Sequence, residues 1–152
     1  MVQNVKGFEL GEAAGHRVVV KSFSGATSTA MSHYLKPNLE MKPDEVILHV
    51  GTNDLKSNTP QEVTDKIIDL ARQVEDSSEA RVVISSLVAR KGKLNEKVIQ
   101  VNKLLKRYCS QNEWQLIEHL NISHKGLNRG GLHLNVEGNK RFFDNFRSYV
   151  CN

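Results

Sequence analysis

The stretch Glu45–Asp54, EVILHVGTND, is a nearly continuous apolar run that stops abruptly at Gly51. An apolar run bounded by a turn signal is the pattern of a strand covered on both faces, which occurs in parallel sheets flanked by helices. Its neighbours should therefore alternate between helix and strand. Downstream, Thr59, Pro60, Gln61 and Glu62 supply an N-cap, a first-turn proline and a carboxylate at the third helical position, which predicts a capping box. Val63, Ile67, Leu70, Ala71 and Val74 then recur at helical spacing. Arg81–Ser86 (RVVISS) repeats the strand pattern, and Leu94, Val98, Val101, Leu104, Leu105 and Tyr108 repeat the helical one. Trp114–Leu120 (WQLIEHL) predicts a further strand. Asn135 is the expected N-cap of a last helix that carries Phe142, Phe143, Phe146, Tyr149 and Val150.

Upstream of the decisive stretch, His16–Lys21 (HRVVVK) has three consecutive β-branched residues and predicts a short strand. GATSTAMSHYLKP predicts a short helix after it, with Pro37 beyond the last turn. Strands alternating with helices predict an α/β fold: a doubly wound parallel sheet, helices on both faces, right-handed crossovers. The whole chain, 1–152, reads as one domain, with no linker or internal repeat.

The composition, 39% hydrophobic and 25% charged, is that of a globular chain and excludes disordered and collagen-like classes. No apolar stretch approaches the roughly 18 residues needed to cross a bilayer, and MVQNVKGFEL lacks the apolar core of a signal peptide, so a soluble, cytoplasmic protein without a membrane partner is expected. Cys109 and Cys151 lack the spacing of a metal or redox pair and read as ordinary thiols. The formal charge of +4 favours a phosphate-bearing partner, so weak nucleic-acid binding is one expectation. Only Lys91–Lys93 and Lys103–Arg107 cluster, however, and no aromatic residues interleave with them, which fits a solvated helix face.

In doubly wound sheets, sites lie beyond the carboxyl ends of the strands. Three stretches converge there. Gly25, in SFSGATS, offers a backbone N–H to an anion with no side chain in the way, or simply a tight turn. Asn53 ends the most buried strand, and its carboxamide can donate to a developing oxyanion; for Asn53 and Asp54 a turn or capping role is the alternative. His133, in GGLHLN, is of the residue type suited to general acid and base work, with a plain surface histidine as the alternative. His49 lies inside a strand and reads as packed, while His16, His33, His119 and His124 show no partners. No histidines are spaced as metal ligands, so no metal and no cofactor is expected. GxGxxG, GK[ST] and GxSxG are all absent, which argues against dinucleotide, nucleoside triphosphate and standard α/β-hydrolase chemistry.

Taken together, VILHVGTNDL, the glycine of SFSGATS and GLHLNVEGNKRFF resemble the SGNH (GDSL-type) hydrolase superfamily over about residues 1 to 150. More narrowly, they look like the esterase-like domains of some LINE-type retrotransposon first open reading frames. The resemblance implies a three-layer, flavodoxin-like sheet and hydrolysis of carboxylic esters, with the ester substrate unidentified. It also implies that Asn53 and the Gly25 N–H are oxyanion donors, that His133 is the base, and that Gly51, Thr52 and Asp54 shape the turn presenting Asn53.

The sequence departs from that pattern twice. The family's nucleophile is a serine in a GDS stretch at the end of a first strand, and MVQNVKGFEL looks like the helix that follows it. The chain is thus expected to start after the nucleophile, to lack the sheet's first strand, and to be inactive alone. HRVVVK should then either pair with EVILHVG or leave an open row of backbone groups. Ser22 and Ser24 are conceivable surrogates, although serines at a loop start more often cap the next helix. The family's acid lies three residues before the histidine, where this chain has Gly130; Asn128 is the nearby polar candidate. A non-catalytic binding module, with nucleic acid as its partner, is the alternative function.

Overall fold

The computed structural model describes residues 1–23 and 25–152. Three parallel strands, β1 (Glu45–Leu48), β2 (Arg81–Ser85) and β3 (Gln115–Ile117), form a sheet in the order β1-β2-β3. Glu45 pairs with Arg81 and Leu48 with Ile84, while Val83 pairs with Gln115 and Ser85 with Ile117. Among the described residues five α-helices surround it: α1 (Gly7–Ala14), α2 (Ser28–Leu39), α3 (Pro60–Ser77), α4 (Leu94–Asn112) and α5 (Val136–Val150).

Strand residues alternate between two apolar layers, as a sheet buried on both faces requires. Leu48, Val82 and Ile84 join α2, α3 and α4 in one cluster, whereas Val83 and Ile117 join Leu10 of α1 and Phe142 and Phe146 of α5 in the other. The fold is thus the expected three-layer α/β arrangement. Thr59 caps α3 in the full capping box, its hydroxyl accepting from the Glu62 amide while the Glu62 carboxylate accepts from the Thr59 amide. Asn135 caps α5, its Oδ1 accepting from the Gly138 amide at 2.9 Å. Among the described residues, no helix is long and apolar enough to cross a membrane.

Three local expectations are corrected. His16–Lys21 is not a strand: it runs without ladder partners among the described residues. Its backbone lies against α1 instead, where a Cβ on Gly7 would come within 2.7 Å of the Val18 carbonyl oxygen and one on Gly11 within 2.9 Å of that of His16. Val18 and Val20 still pack on the α1/α5 layer, so the β-branched residues are used for burial without forming a ladder. The segment does not pair with β1, so that edge of β1 has no ladder partner among the described residues. Pro37 lies inside α2 rather than beyond it. Pro37 offers no amide to the His33 carbonyl, and burial of Leu35 and Leu39 in the core holds the last turns in its place. The WQLIEHL strand contracts to Gln115–Ile117, because Leu120 is turned out to solvent and His119 into the interior.

Candidate active site

β1 feeds directly into the GTND turn. Gly51 has φ of 116°, and a Cβ there would meet Ile67 Cδ1 at 2.9 Å, so both backbone and space demand glycine. Thr52–Asp54 then form one 3-10 turn. Asp54 is buried, and its Oδ2 accepts from the Ser28 amide at 3.0 Å and from the Ser28 hydroxyl at 2.9 Å. Its Oδ1 lies 3.7 Å from the Lys66 ammonium. One carboxylate thereby joins the turn to the first residue of α2 and to α3. Its alignment with the α2 N-terminus is favourable, since a negative charge meets unpaired amides there.

Asn53 points outward, and its Nδ2 donates to the Ala26 carbonyl at 2.9 Å. That bond ties the GTND turn to the loop carrying Gly25, an exposed residue with φ of 72°. Beside Gly25 lies an open hollow of about 490 Å³, bounded by Phe23, Ala26, Thr27, Ala30 and Tyr34. Phe23 and Tyr34 stack face to face across 4.4 Å. Ser24, one of the conceivable surrogate nucleophiles, lies outside the described residues, and Ser22 is exposed.

His133 lies in the long loop between β3 and α5, two residues before the Asn135 cap, so it too belongs to the carboxyl end of the sheet. It is exposed, and among the described residues no side chain hydrogen-bonds its imidazole. Asn128 reaches it only through backbone, its amide donating to the His133 carbonyl at 2.8 Å. Gly130 brings no carboxylate. The loop is anchored by Asn135, whose Nδ2 donates to the Lys125 and Leu127 carbonyls, and by close approach of Gly138 in α5 to the Gly126 carbonyl. It is also tied to the segment after β2: the Lys91 amide donates to the Gly131 carbonyl at 3.3 Å and Lys91 Nζ to the Asn128 carbonyl at 3.1 Å. Next along the chain, Arg90 Nη1 lies 3.5 Å from the Thr52 carbonyl. The Gly25 and Asn53 loops therefore touch directly, whereas the His133 loop is linked to them through Arg90 and Lys91.

A polar chain under this rim was not evident in the sequence. His49 Nδ1 is 2.9 Å from Ser85 Oγ, Ser85 Oγ is 2.7 Å from His119 Nε2, and His119 Nδ1 is 2.9 Å from Asn145 Nδ2. Asn145 and Asn121 exchange amide bonds, which sets the direction of the chain. Asn145 donates to His119, His119 Nε2–H donates to Ser85, and the Ser85 hydroxyl donates to His49, so both imidazoles are neutral. Burial, then the neighbouring His119 and the chain's terminal ammonium, push His49 down to about 3; burial pushes His119 down to about 4. The signal was available: VILH and VVIS align residue for residue, so in-register pairing makes His49 and Ser85 cross-strand neighbours.

The GDSL-like Lipase/Acylhydrolase family model matches residues 6–141. Comparison with curated proteins gives no match. Solved structures are similar in fold. A GDSL-like lipase from Bacteroides thetaiotaomicron is 15% identical with a TM-score of 0.80, over 98% of this chain and 80% of that one. A carbohydrate acetylesterase from Sinorhizobium meliloti is 19% identical with a TM-score of 0.80, over 99% and 86%. The native aryl esterase of M. smegmatis is 19% identical with a TM-score of 0.79, over 93% and 81%. With most of its length matched, from α1 to the first turns of α5, the chain belongs to the GDSL-like lipase/acylhydrolase family.

Proposed function

We propose that this domain binds carboxylic esters with the Gly25 N–H and the Asn53 carboxamide as oxyanion donors and His133 as the base, and that no serine within these 152 residues is its nucleophile. The observation that carries the reading is the bond from Asn53 Nδ2 to the Ala26 carbonyl. It fixes the carboxamide beside the Gly25 loop, and donors held in place before the reaction need no reorganisation when charge develops. Within the family we assign the chain to the esterase-like domains of LINE-type first open reading frames, because GTND and GLHLN stand in that order.

In the full triad a serine attacks the ester carbonyl, the histidine takes its proton, and the donors hold the tetrahedral oxyanion. The 152 residues contain no GDS stretch. Ser85 stands between two histidines but is 1% exposed, and its single proton is committed to His49. Ser28 is equally buried and bonded to Asp54. Losing the nucleophile of such a set costs on the order of 10⁶ in rate.

The chain is therefore expected to hydrolyse p-nitrophenyl acetate at no more than a trace rate, unchanged by His133→Ala. Turnover well above buffer that collapses in His133→Ala would show that a serine already present serves. Joining a strand ending in GDS ahead of Met1 should create activity. Asn53→Ala should then lower kcat by about 10²-fold or more, and indifference to that substitution would remove the oxyanion assignment.

A further inference from the structure

Arg90 is 8% exposed, and its Nε is buried with no hydrogen-bond partner among the described residues. A guanidinium has five donors, yet among the described residues this one makes the long 3.5 Å contact from Nη1 to the Thr52 carbonyl and no other hydrogen bond. Among the described residues no carboxylate lies within ion-pair distance of it. The neighbouring cations at this end of the sheet are provided for: Lys66 faces Asp54, Lys97 Nζ donates to the Leu55 and Asn58 carbonyls, and Lys91 Nζ to that of Asn128. The Thr52 residue, whose carbonyl Arg90 reaches, has a hydroxyl that is likewise buried and unpartnered among the described residues. Taking a full positive charge out of water without a counter-charge is strongly unfavourable, and burial here pushes the guanidinium pKa down from its ordinary value. The next charged residues along the chain, Lys91 and Lys93, have the same sign. Both orphan groups can donate, both lie where β1 and β2 end, and Thr52 immediately precedes Asn53.

We infer that Arg90 and the Thr52 hydroxyl form an anion-binding subsite beside Asn53, which takes a carboxylate or phosphate group carried by the ligand. The assignment deepens the esterase reading by making the ligand an ester that bears a second, anionic group, and it rests on that reading for the ester alone. Arg90 acts here as a binding and specificity residue with no part in the bond-breaking step.

The test is a titration of the isotopically labelled chain, followed by ¹H–¹⁵N spectra, with monomethyl succinate, its uncharged counterpart dimethyl succinate, and inorganic phosphate. Monomethyl succinate should shift the Arg90 Nε–H signal and the Thr52 and Asn53 amides, and dimethyl succinate should bind at least tenfold more weakly. Arg90→Gln should abolish the difference between the two esters, and Arg90→Lys should retain part of it. If Arg90→Gln does not fold, the comparison of the two esters on the unaltered chain and on Arg90→Lys decides. Equal binding of the charged and neutral esters, binding undiminished in Arg90→Gln, or no shift with any of the three probes would overturn the inference. Phosphate shifting Arg90 and Thr52, with neither ester moving Gly25 or Asn53, would keep the subsite and remove the ester reading instead.

Discussion

A single buried carboxylate organises the loops nearest Asn53. Asp54 receives two hydrogen bonds from Ser28 and faces Lys66, so its removal leaves a helix start, a hydroxyl and an ammonium without their partner. Charge-assisted bonds of this kind are worth about 1.5–3 kcal/mol each, and an orphaned buried donor adds to the loss. Asp54→Ala should destabilise the fold by about 3 kcal/mol in urea unfolding, and Asp54→Asn by less; a loss below about 1 kcal/mol would show that solvent replaces the carboxylate. The sequence singled out Asp54 as a turn residue, and its spacing from Asn53 was readable. Its partners were not, because Ser28 is 26 residues away and meets it only through the packing of α2 on α3.

At the scale of elements, periodicity was a reliable guide wherever burial and local propensity agreed. The capping box of α3 and the Asn135 cap of α5 depend on residues three apart, and both are present as read. HRVVVK shows where periodicity fails. Its β-branched residues predict an extended backbone, which it has, but a strand also needs a neighbour, and pairing is a property of the whole sheet. Among the described residues the amides of residues 17–22 make no backbone hydrogen bond, whereas those of β2 lie in the centre of the sheet. Native-state hydrogen exchange should therefore be faster for residues 17–22 than for Val83 and Ile84 by orders of magnitude. Comparable protection in both would mean that the segment does join a ladder. For the candidate site, the sequence offered Gly25, Asn53 and His133 because each stands in a loop or turn next to an element boundary, and their roles stay proposals. The His49–Ser85–His119 chain joins neighbouring strands and Arg90 meets the Thr52 turn 38 residues away, so both depend on which segments lie side by side.

For the molecule as a whole, those two neutral histidines make stability depend on pH. Their folded pKa values of about 3 and about 4 lie below the ordinary 6.5, so the unfolded chain binds more protons than the folded one between pH 6.5 and 4. Stability is therefore fully present above 6.5 and is lost as pH falls through that window. On linkage arithmetic the loss at pH 5 relative to pH 7 is about 2 kcal/mol for each histidine, a large share of the roughly 5–15 kcal/mol available to a domain. Urea unfolding at the two pH values measures it, and replacing His119 with a non-titrating residue should flatten the dependence even where it lowers the stability overall. A pH-independent midpoint would mean that the imidazoles titrate normally.

The sheet also divides the interior into two apolar rooms, one on each face of the strands. Val101 of α4 fills one and Phe142 of α5 the other. A void opened on one side has no direct route for relaxation into the other, so truncations made on opposite sides should cost the sum of their separate penalties, to within about 0.5 kcal/mol. Lesions confined to the α2–α3–α4 side would thus leave the Phe142 aromatic cluster, and the floor it gives His49 and His119, in place.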